Sequence, residues 1–127
     1  MKNISFSITT EQFKRREKTV TRRLGWKKLK AGDHLMGCKK CMGLKSGEKI
    51  EKLGEIRVVS VRREPLADIY IKYDNETDKE GFPEMTRWDF VNMFCREMHC
   101  KPDQIVTRIE FEYVDARTVP RNYEGGK

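Results

Sequence analysis

The stretch REKTVTRR, residues 16–23, joins strand-forming residues to a high density of positive charge. Thr19, Val20 and Thr21 are β-branched or β-prone and favour an extended backbone. Four of the eight residues are Lys or Arg. The stretch therefore predicts a short, basic strand, and the elements on either side decide what kind of sheet it joins.

Hydrophobic patterning predicts strands on both sides of this stretch, because Ile, Val and aromatic residues recur with a period of two. The predicted strands cover residues 4–8, 18–23, 34–37, 55–63 and 106–114, with a further short strand over residues 69–73. Residues 74–83 are predicted as a loop from their polar composition. In the last strand, Ile109, Phe111 and Tyr113 share one face.

Two helices are predicted from capping-box patterns. Thr9 and Gln12 mark the start of a short helix over residues 10–16. Thr86 and Asp89 mark a longer helix that ends near His99, before Pro102. Two helices are too few to alternate with these strands in a doubly wound sheet. The fold class is therefore predicted to be α+β, with a small, mostly antiparallel sheet or barrel and two main helices.

Length and composition limit the organisation and the class of protein. The chain has 127 residues, which supports one domain. We expect this domain to span residues 1–116, with a cysteine-bearing insertion at 38–54 and a loose tail at 117–127. No apolar run reaches the ~18–20 residues needed to cross a bilayer, and the N-terminus lacks the apolar run of a secretory signal. We therefore expect a cytoplasmic protein with no membrane partner.

The positive charge is concentrated in the first half of the chain. The formal net charge is +7, and residues 11–52 alone carry 14 Lys or Arg against 5 Asp or Glu. A one-sided basic surface favours a polyanionic partner, with nucleic acid the leading candidate, although solubility is an alternative reason for such charge.

The four cysteines fall into two pairs along the sequence. Cys38 and Cys41 have the C-x2-C spacing of half a zinc site. In a chain without a secretion signal, paired cysteines favour metal over disulfides. We therefore predict a structural zinc ion, while four reduced thiols or a redox pair at the first two cysteines are the alternatives. The predicted ligands are Cys38, Cys41, Cys95 and Cys100, with His34 or His99 as a substitute for one cysteine.

The order of these features resembles the ASCH domain, a member of the PUA-like β-barrel group associated with RNA and modified nucleosides. The family signature is Gly-x-Lys-x-x-Glu-x-Arg. Lys18 and Arg23 match it, while Arg16 and Thr21 stand where Gly and Glu are usual. The turn LKAGD at 29–33, the strand at 54–61 and Glu-Gly-Phe at 80–82 follow in the same order. The resemblance covers residues 3–114 apart from the cysteine-bearing segment, and it implies a PUA-like β-barrel.

Within that family, Lys-Thr-x-Thr at residues 18–21 is similar to the bacterial acetylcytidine amidohydrolases, whose catalytic set is a Lys, a Thr and a Glu. The resemblance matches Lys18 and Thr21 directly and makes Glu80 the counterpart of the Glu. The chemistry is coherent, because a Thr hydroxyl needs a base, and Lys can be that base when burial or nearby cations lower its pKa. In a regular strand, residues 18 and 21 point to opposite faces, so they converge only if strand geometry is interrupted.

The leading functional hypothesis is a basic cleft that binds RNA, a nucleoside or a nucleobase. Its predicted ligand contacts are Lys18, Arg22, Arg23 and Trp26, with the indole as a stacking surface. The enzymatic version hydrolyses an acylated nucleoside such as acetylcytidine with Lys18, Thr21 and Glu80. The alternative is a zinc-braced, non-enzymatic RNA-binding or protein-interaction adaptor.

Overall fold

The structure, a computed structural model, describes residues 1–115. Its strands are β1 (Lys2–Ser5), β2 (Val20–Arg23), β3 (His34–Cys38), β4 (Lys52–Pro65) and β5 (Ile105–Tyr113). Its helices are α1 (Thr10–Lys14), α2 (Glu76–Glu80) and α3 (Arg87–Met98), with a 3-10 helix at Leu66–Tyr70. The predicted tail at 117–127 lies outside the described residues.

The five strands form one curled sheet in the order β1-β3-β4-β5-β2. β1 pairs with β3 in parallel, and the other three pairings are antiparallel. This confirms the predicted α+β class with a small, mostly antiparallel sheet. Among residues 1–115, no helix is long and apolar enough to cross a membrane.

Apolar side chains form two clusters on either side of β5. One cluster fills the concave face of the sheet, where the rings of Phe6 and Phe13 lie 4.5 Å apart and Phe111 packs beside them. The other joins α3 to the 3-10 helix and includes Phe90 and Phe94. The alternation predicted for β5 is confirmed, because Ile109 and Phe111 are buried in the first cluster.

The long helix begins as its sequence predicts. Thr86 accepts a hydrogen bond from the Asp89 amide, and Asp89 returns one to the Thr86 amide, so the capping box is present. The helix ends at Met98, and the residue that caps it, His99, adopts a left-handed backbone with φ of 55°. The first capping-box prediction was wrong: Thr9 precedes α1 but makes no side-chain cap.

Two further local predictions were wrong, and both concern the segment after β4. Residues 69–73 are not a strand, because Pro65 ends β4 and the chain turns into the 3-10 helix that buries Leu66 and Ile69. The loop predicted at 74–83 contains α2. The side chains that α2 buries include the carboxylates Glu76 and Glu80. Its sequence is therefore polar throughout, which is why a loop was predicted.

Candidate functional site

A cavity of about 300 Å³ lies between the end of β1, β2 and the helices α2 and α3. Its polar wall contains Lys18, Thr21, Arg22, Arg23 and Glu80. Its apolar wall is formed by Phe6, Phe82, Phe90, Met93, Phe94 and Met98. The structure therefore brings together all three residues of the predicted catalytic set and two more of the predicted ligand contacts.

The cavity contains both Lys18 and Thr21 because Lys18 precedes the strand. β2 begins at Val20, so the strict alternation of faces does not extend back to Lys18. The Thr19 amide donates to the carbonyl of Lys79 at 2.8 Å, and the Thr19 carbonyl accepts from the amide of Phe111 at 2.9 Å. These bonds hold the segment between α2 and β5, so Lys18 and Thr21 reach the same cavity.

The turn before Lys18 holds Arg16 in a backbone conformation that favours glycine. Arg16 has a φ of 61°, a left-handed conformation that glycine adopts without strain. The Arg16 guanidinium lies 5.5 Å from the centre of the Tyr113 ring. The Tyr113 hydroxyl in turn donates to the backbone carbonyl of Lys18 at 2.5 Å. The turn therefore has a backbone geometry that glycine would adopt without strain. The contacts of Tyr113 with Arg16 and Lys18 hold it in place.

Lys18 is a buried amine held against Glu80. Its Nζ donates to the Glu80 carbonyl at 2.6 Å and to Glu80 Oε1 at 3.0 Å, and both side chains are less than 5% exposed. Burial lowers the pKa of Lys18, the charges of Arg23 and Arg22 lower it further, and Glu80 opposes them without restoring the ordinary value. Deprotonation of this amine is therefore easier than that of a lysine in water.

Arg22 links Glu80 to a second buried carboxylate. Its Nη1 donates to Glu80 Oε2 at 2.8 Å, and its Nη2 donates to Glu76 Oε2 at 2.6 Å. Glu76 also accepts two hydrogen bonds from Arg108, at 2.5 and 3.2 Å. Burial alone would raise the pKa of Glu76, but the hydrogen bonds and charges of Arg108 and Arg22 outweigh it and lower that pKa. The network fixes Glu80 in its position beside Lys18.

Sequence reasoning missed Glu76 and Arg108. Both belong to stretches whose polarity is typical of solvent-exposed segments, since Glu76 lies in the predicted loop and Arg108 on the supposedly polar face of β5. Burial of both side chains depends on α2 packing against that face.

Arg23 and Thr21 form the remaining polar pair of the cavity. Arg23 Nε donates to Thr21 Oγ1 at 3.0 Å, and Arg23 Nη2 donates to the carbonyl of Ser5 at 2.5 Å. Burial lowers the pKa of Arg23 to about 10, so it is charged at neutral pH. Within residues 1–115, Arg23 has no carboxylate within salt-bridge distance. The cavity therefore holds one cation that is not ion-paired, directly beside the Thr21 hydroxyl.

The remaining predicted site residues lie elsewhere. Trp26 does not line this cavity but a second concavity beside β3.

The four cysteines form two neighbouring pairs, Cys38 with Cys41 and Cys95 with Cys100. In each pair, burial and the neighbouring thiol raise the pKa of the first cysteine. In the described part of the chain, no three His, Cys, Asp or Glu side chains are grouped as a metal site would require. The four-cysteine zinc site stays a prediction for metal analysis.

Comparison with known proteins supports the fold. No family model and no curated protein matches the sequence. A protein of Enterococcus faecalis V583, described under the family model DUF984, superposes with a TM-score of 0.60 at 17% identity, covering 90% of this chain and 80% of that one. The hypothetical protein PH0355 gives 0.58 at 16% identity, covering 88% and 95%.

The third similar structure is named as an ASCH domain. An ASCH domain from Lactobacillus crispatus JV V101 superposes with a TM-score of 0.50 at 15% identity, covering 88% of this chain and 78% of that one. Likeness at such identities concerns the arrangement of the backbone. The chain has an ASCH-like fold, as the order of its motifs predicted.

Proposed function

We propose that this protein binds a modified nucleoside in the cavity and hydrolyses the amide of its acyl group, with acetylcytidine as the representative substrate. The observation that carries the proposal is the convergence of Lys18, Thr21 and Glu80 on one cavity. Amide hydrolysis needs a nucleophile, a base and a group that returns the proton to the leaving nitrogen. Thr21 would be the nucleophile and Lys18 the base, and the protonated Lys18 would return the proton directly or through Glu80.

The reaction begins at the Thr21 hydroxyl. Lys18, in its neutral form, takes the hydroxyl proton as Thr21 Oγ1 attacks the acyl carbonyl carbon, and a tetrahedral intermediate forms. Its C–N bond then breaks, the proton returns through Lys18 or Glu80 to the leaving nitrogen, and the nucleoside departs with a free amine. Water hydrolyses the acyl-threonine ester in a second round and releases the carboxylic acid. The lowered pKa of Lys18 supports its role as the base.

Arg23 would stabilise the charge that develops in this sequence. Its Nε already donates to Thr21 Oγ1, so the cation lies beside the attacking oxygen. A fixed positive charge at this place favours both the alkoxide character of Thr21 and the oxyanion of the tetrahedral intermediate.

The charge distribution favours a small ligand over an RNA backbone in this cavity. Lys18 and Arg22 are buried and already paired with Glu80 and Glu76. A phosphodiester would have to replace those carboxylates to gain the same contacts. The aromatic wall, with Phe6, Phe82 and Phe90, suits the flat, neutral surface of a nucleobase.

The test is turnover of acetylcytidine, followed by chromatographic separation of cytidine. Thr21→Val removes the hydroxyl with little change in volume, and Thr21→Ser is the matched control that keeps it. We expect Thr21→Val and Lys18→Ala to lower kcat by roughly 10²–10⁴-fold, and Thr21→Ser to retain measurable turnover. Thermal unfolding of each variant verifies that the buried site still folds.

Two results would refute the proposal. One is turnover that survives Lys18→Ala or Thr21→Val at the rate of the unaltered protein. The other is saturable binding of cytidine, measured by calorimetry, with no hydrolysis of the acetylated form, which would make the cavity a binding site only.

A further inference from the structure

A second concavity, of about 570 Å³, lies on the side of the sheet where β1 begins. It is formed by the start of β1, the β2–β3 connection and the start of β3. It shares no lining residue with the cavity that contains Lys18. We call it the Trp26 groove, and its polar and aromatic lining consists of Lys2, Trp26, Lys27, Lys28, Asp33 and His34.

Trp26 is held in an unusual conformation at this groove. Its φ is 63°, a left-handed backbone conformation that is rare for a bulky residue and costs backbone strain. The indole packs partly against the core of the sheet. Within residues 1–115, no aromatic ring or guanidinium group stacks on it, whereas Trp88 stacks on Tyr70 at 5.7 Å. The strained turn therefore presents an indole with a free surface in the groove.

The lysines around this indole are exposed and unpaired. Lys2, Lys27 and Lys28 are solvent-exposed and make no ion pair with any residue of the described part of the chain. The carboxylate of the groove, Asp33, accepts a hydrogen bond from the backbone amide of Lys30 at 2.9 Å. The groove is thus lined by three lysines without an ion pair among residues 1–115 and by one carboxylate, Asp33, which is hydrogen-bonded within its own loop.

We propose that the Trp26 groove binds a short segment of single-stranded nucleic acid. One base stacks on the indole of Trp26, and the phosphates on either side contact Lys2, Lys27 and Lys28. An aromatic platform flanked by mobile cations is how proteins bind single strands without reading their sequence. The proposal goes beyond hydrolysis in the cavity that contains Lys18, where Lys18 and Arg22 are buried and already paired with carboxylates.

The experiment measures fluorescence anisotropy of a labelled oligouridylate of about ten nucleotides as the salt concentration is raised. Lys27→Gln combined with Lys28→Gln removes two phosphate contacts. We expect this to reduce the slope of log affinity against log salt by about 1.4, since each contact on a single strand contributes about 0.7. The matched control is Lys45→Gln with Lys49→Gln, two exposed lysines between β3 and β4, which leaves the slope unchanged.

Substitution of the indole tests the stacking. Trp26→Leu should weaken binding roughly five- to a hundred-fold, the range of one base–aromatic stack, and Trp26→Phe should recover most of that loss. Hydrolysis of acetylcytidine by the Lys27/Lys28 double variant should equal that of the unaltered protein, which separates this proposal from the function of the cavity. Absence of oligouridylate binding, or an equal change of slope in the two double variants, would overturn it.

Discussion

Replacing Glu76 by Gln tests whether the buried charge network holds the site together. The Glu76 side chain is completely buried. Its two carboxylate oxygens accept three hydrogen bonds, one from Arg22 and two from Arg108. Glutamine keeps the shape of the side chain, but it removes the negative charge and turns one acceptor into a donor that faces Arg108.

The expected loss of stability is large for a single substitution. Hydrogen bonds to charged groups contribute about 1.5–3 kcal/mol each. The full sum is not lost in Glu76→Gln, because the amide oxygen of Gln still accepts a hydrogen bond and the cost of burying the carboxylate disappears. Removing one partner of a buried ion pair typically costs about 3–5 kcal/mol, because the remaining charges are left uncompensated. We therefore expect Glu76→Gln to lower the free energy of unfolding by about 3–5 kcal/mol at neutral pH.

The loss depends on pH in a defined direction. Because the network lowers the pKa of Glu76 from its ordinary value of 4.5, the carboxylate contributes its full stability above that value. The contribution disappears as pH falls through the lower pKa of the folded state. The difference in free energy of unfolding between the unaltered protein and Glu76→Gln is therefore largest at neutral pH and becomes smaller in acid.

Urea unfolding followed by tryptophan fluorescence measures both effects. Glu112→Gln is the matched control, because Glu112 pairs with Arg57 while 52% of its side chain is exposed. Such surface pairs contribute about 0–1 kcal/mol. The reasoning is refuted if Glu76→Gln costs no more than Glu112→Gln, or if its cost at neutral pH persists unchanged in acid.

Three further predictions concern packing, ionisation and metal. Gly37→Ala should lower the free energy of unfolding by about 1–3 kcal/mol, because a Cβ there would lie 2.4 Å from the ring of Phe13; Gly25→Ala, with nothing within 4 Å of its Cβ, should leave thermal unfolding unchanged. The kcat of acetylcytidine hydrolysis should rise with pH through an apparent pKa below the 10.5 of an ordinary lysine; a profile without that rise would exclude Lys18 as the base. Protein purified without added zinc should contain less than one zinc ion per chain, because no three potential ligands are grouped in the described part of the chain; one equivalent that is lost in both Cys38→Ser and Cys95→Ser would instead support the four-cysteine site.

Much of the fold was determined by local patterns in the sequence. The alternation in β4 and β5 and the capping box of α3 predict those elements because each depends on residues within a few positions of one another. Lys18, Thr21 and Glu80 became candidates in another way, through the resemblance of residues 18–21 and 80–82 to ASCH proteins. No local sequence pattern predicted α2. Its buried face contains the carboxylates Glu76 and Glu80, so its composition is typical of a loop.

Only the tertiary structure decided how these residues meet. Lys18 and Glu80 lie 62 positions apart in the sequence, and Arg22 and Glu76 lie 54 apart. Residue type does not distinguish a charged side chain that is buried in an ion pair from one that is exposed to solvent. The sequence pattern therefore could not predict this network. The same holds for Trp26, which the sequence assigned to the cleft and the fold placed in a separate groove. Sequence determined which groups are available, and packing of α2 against β2 and β5 decided which of them are buried together, because burial is a property of distant contacts.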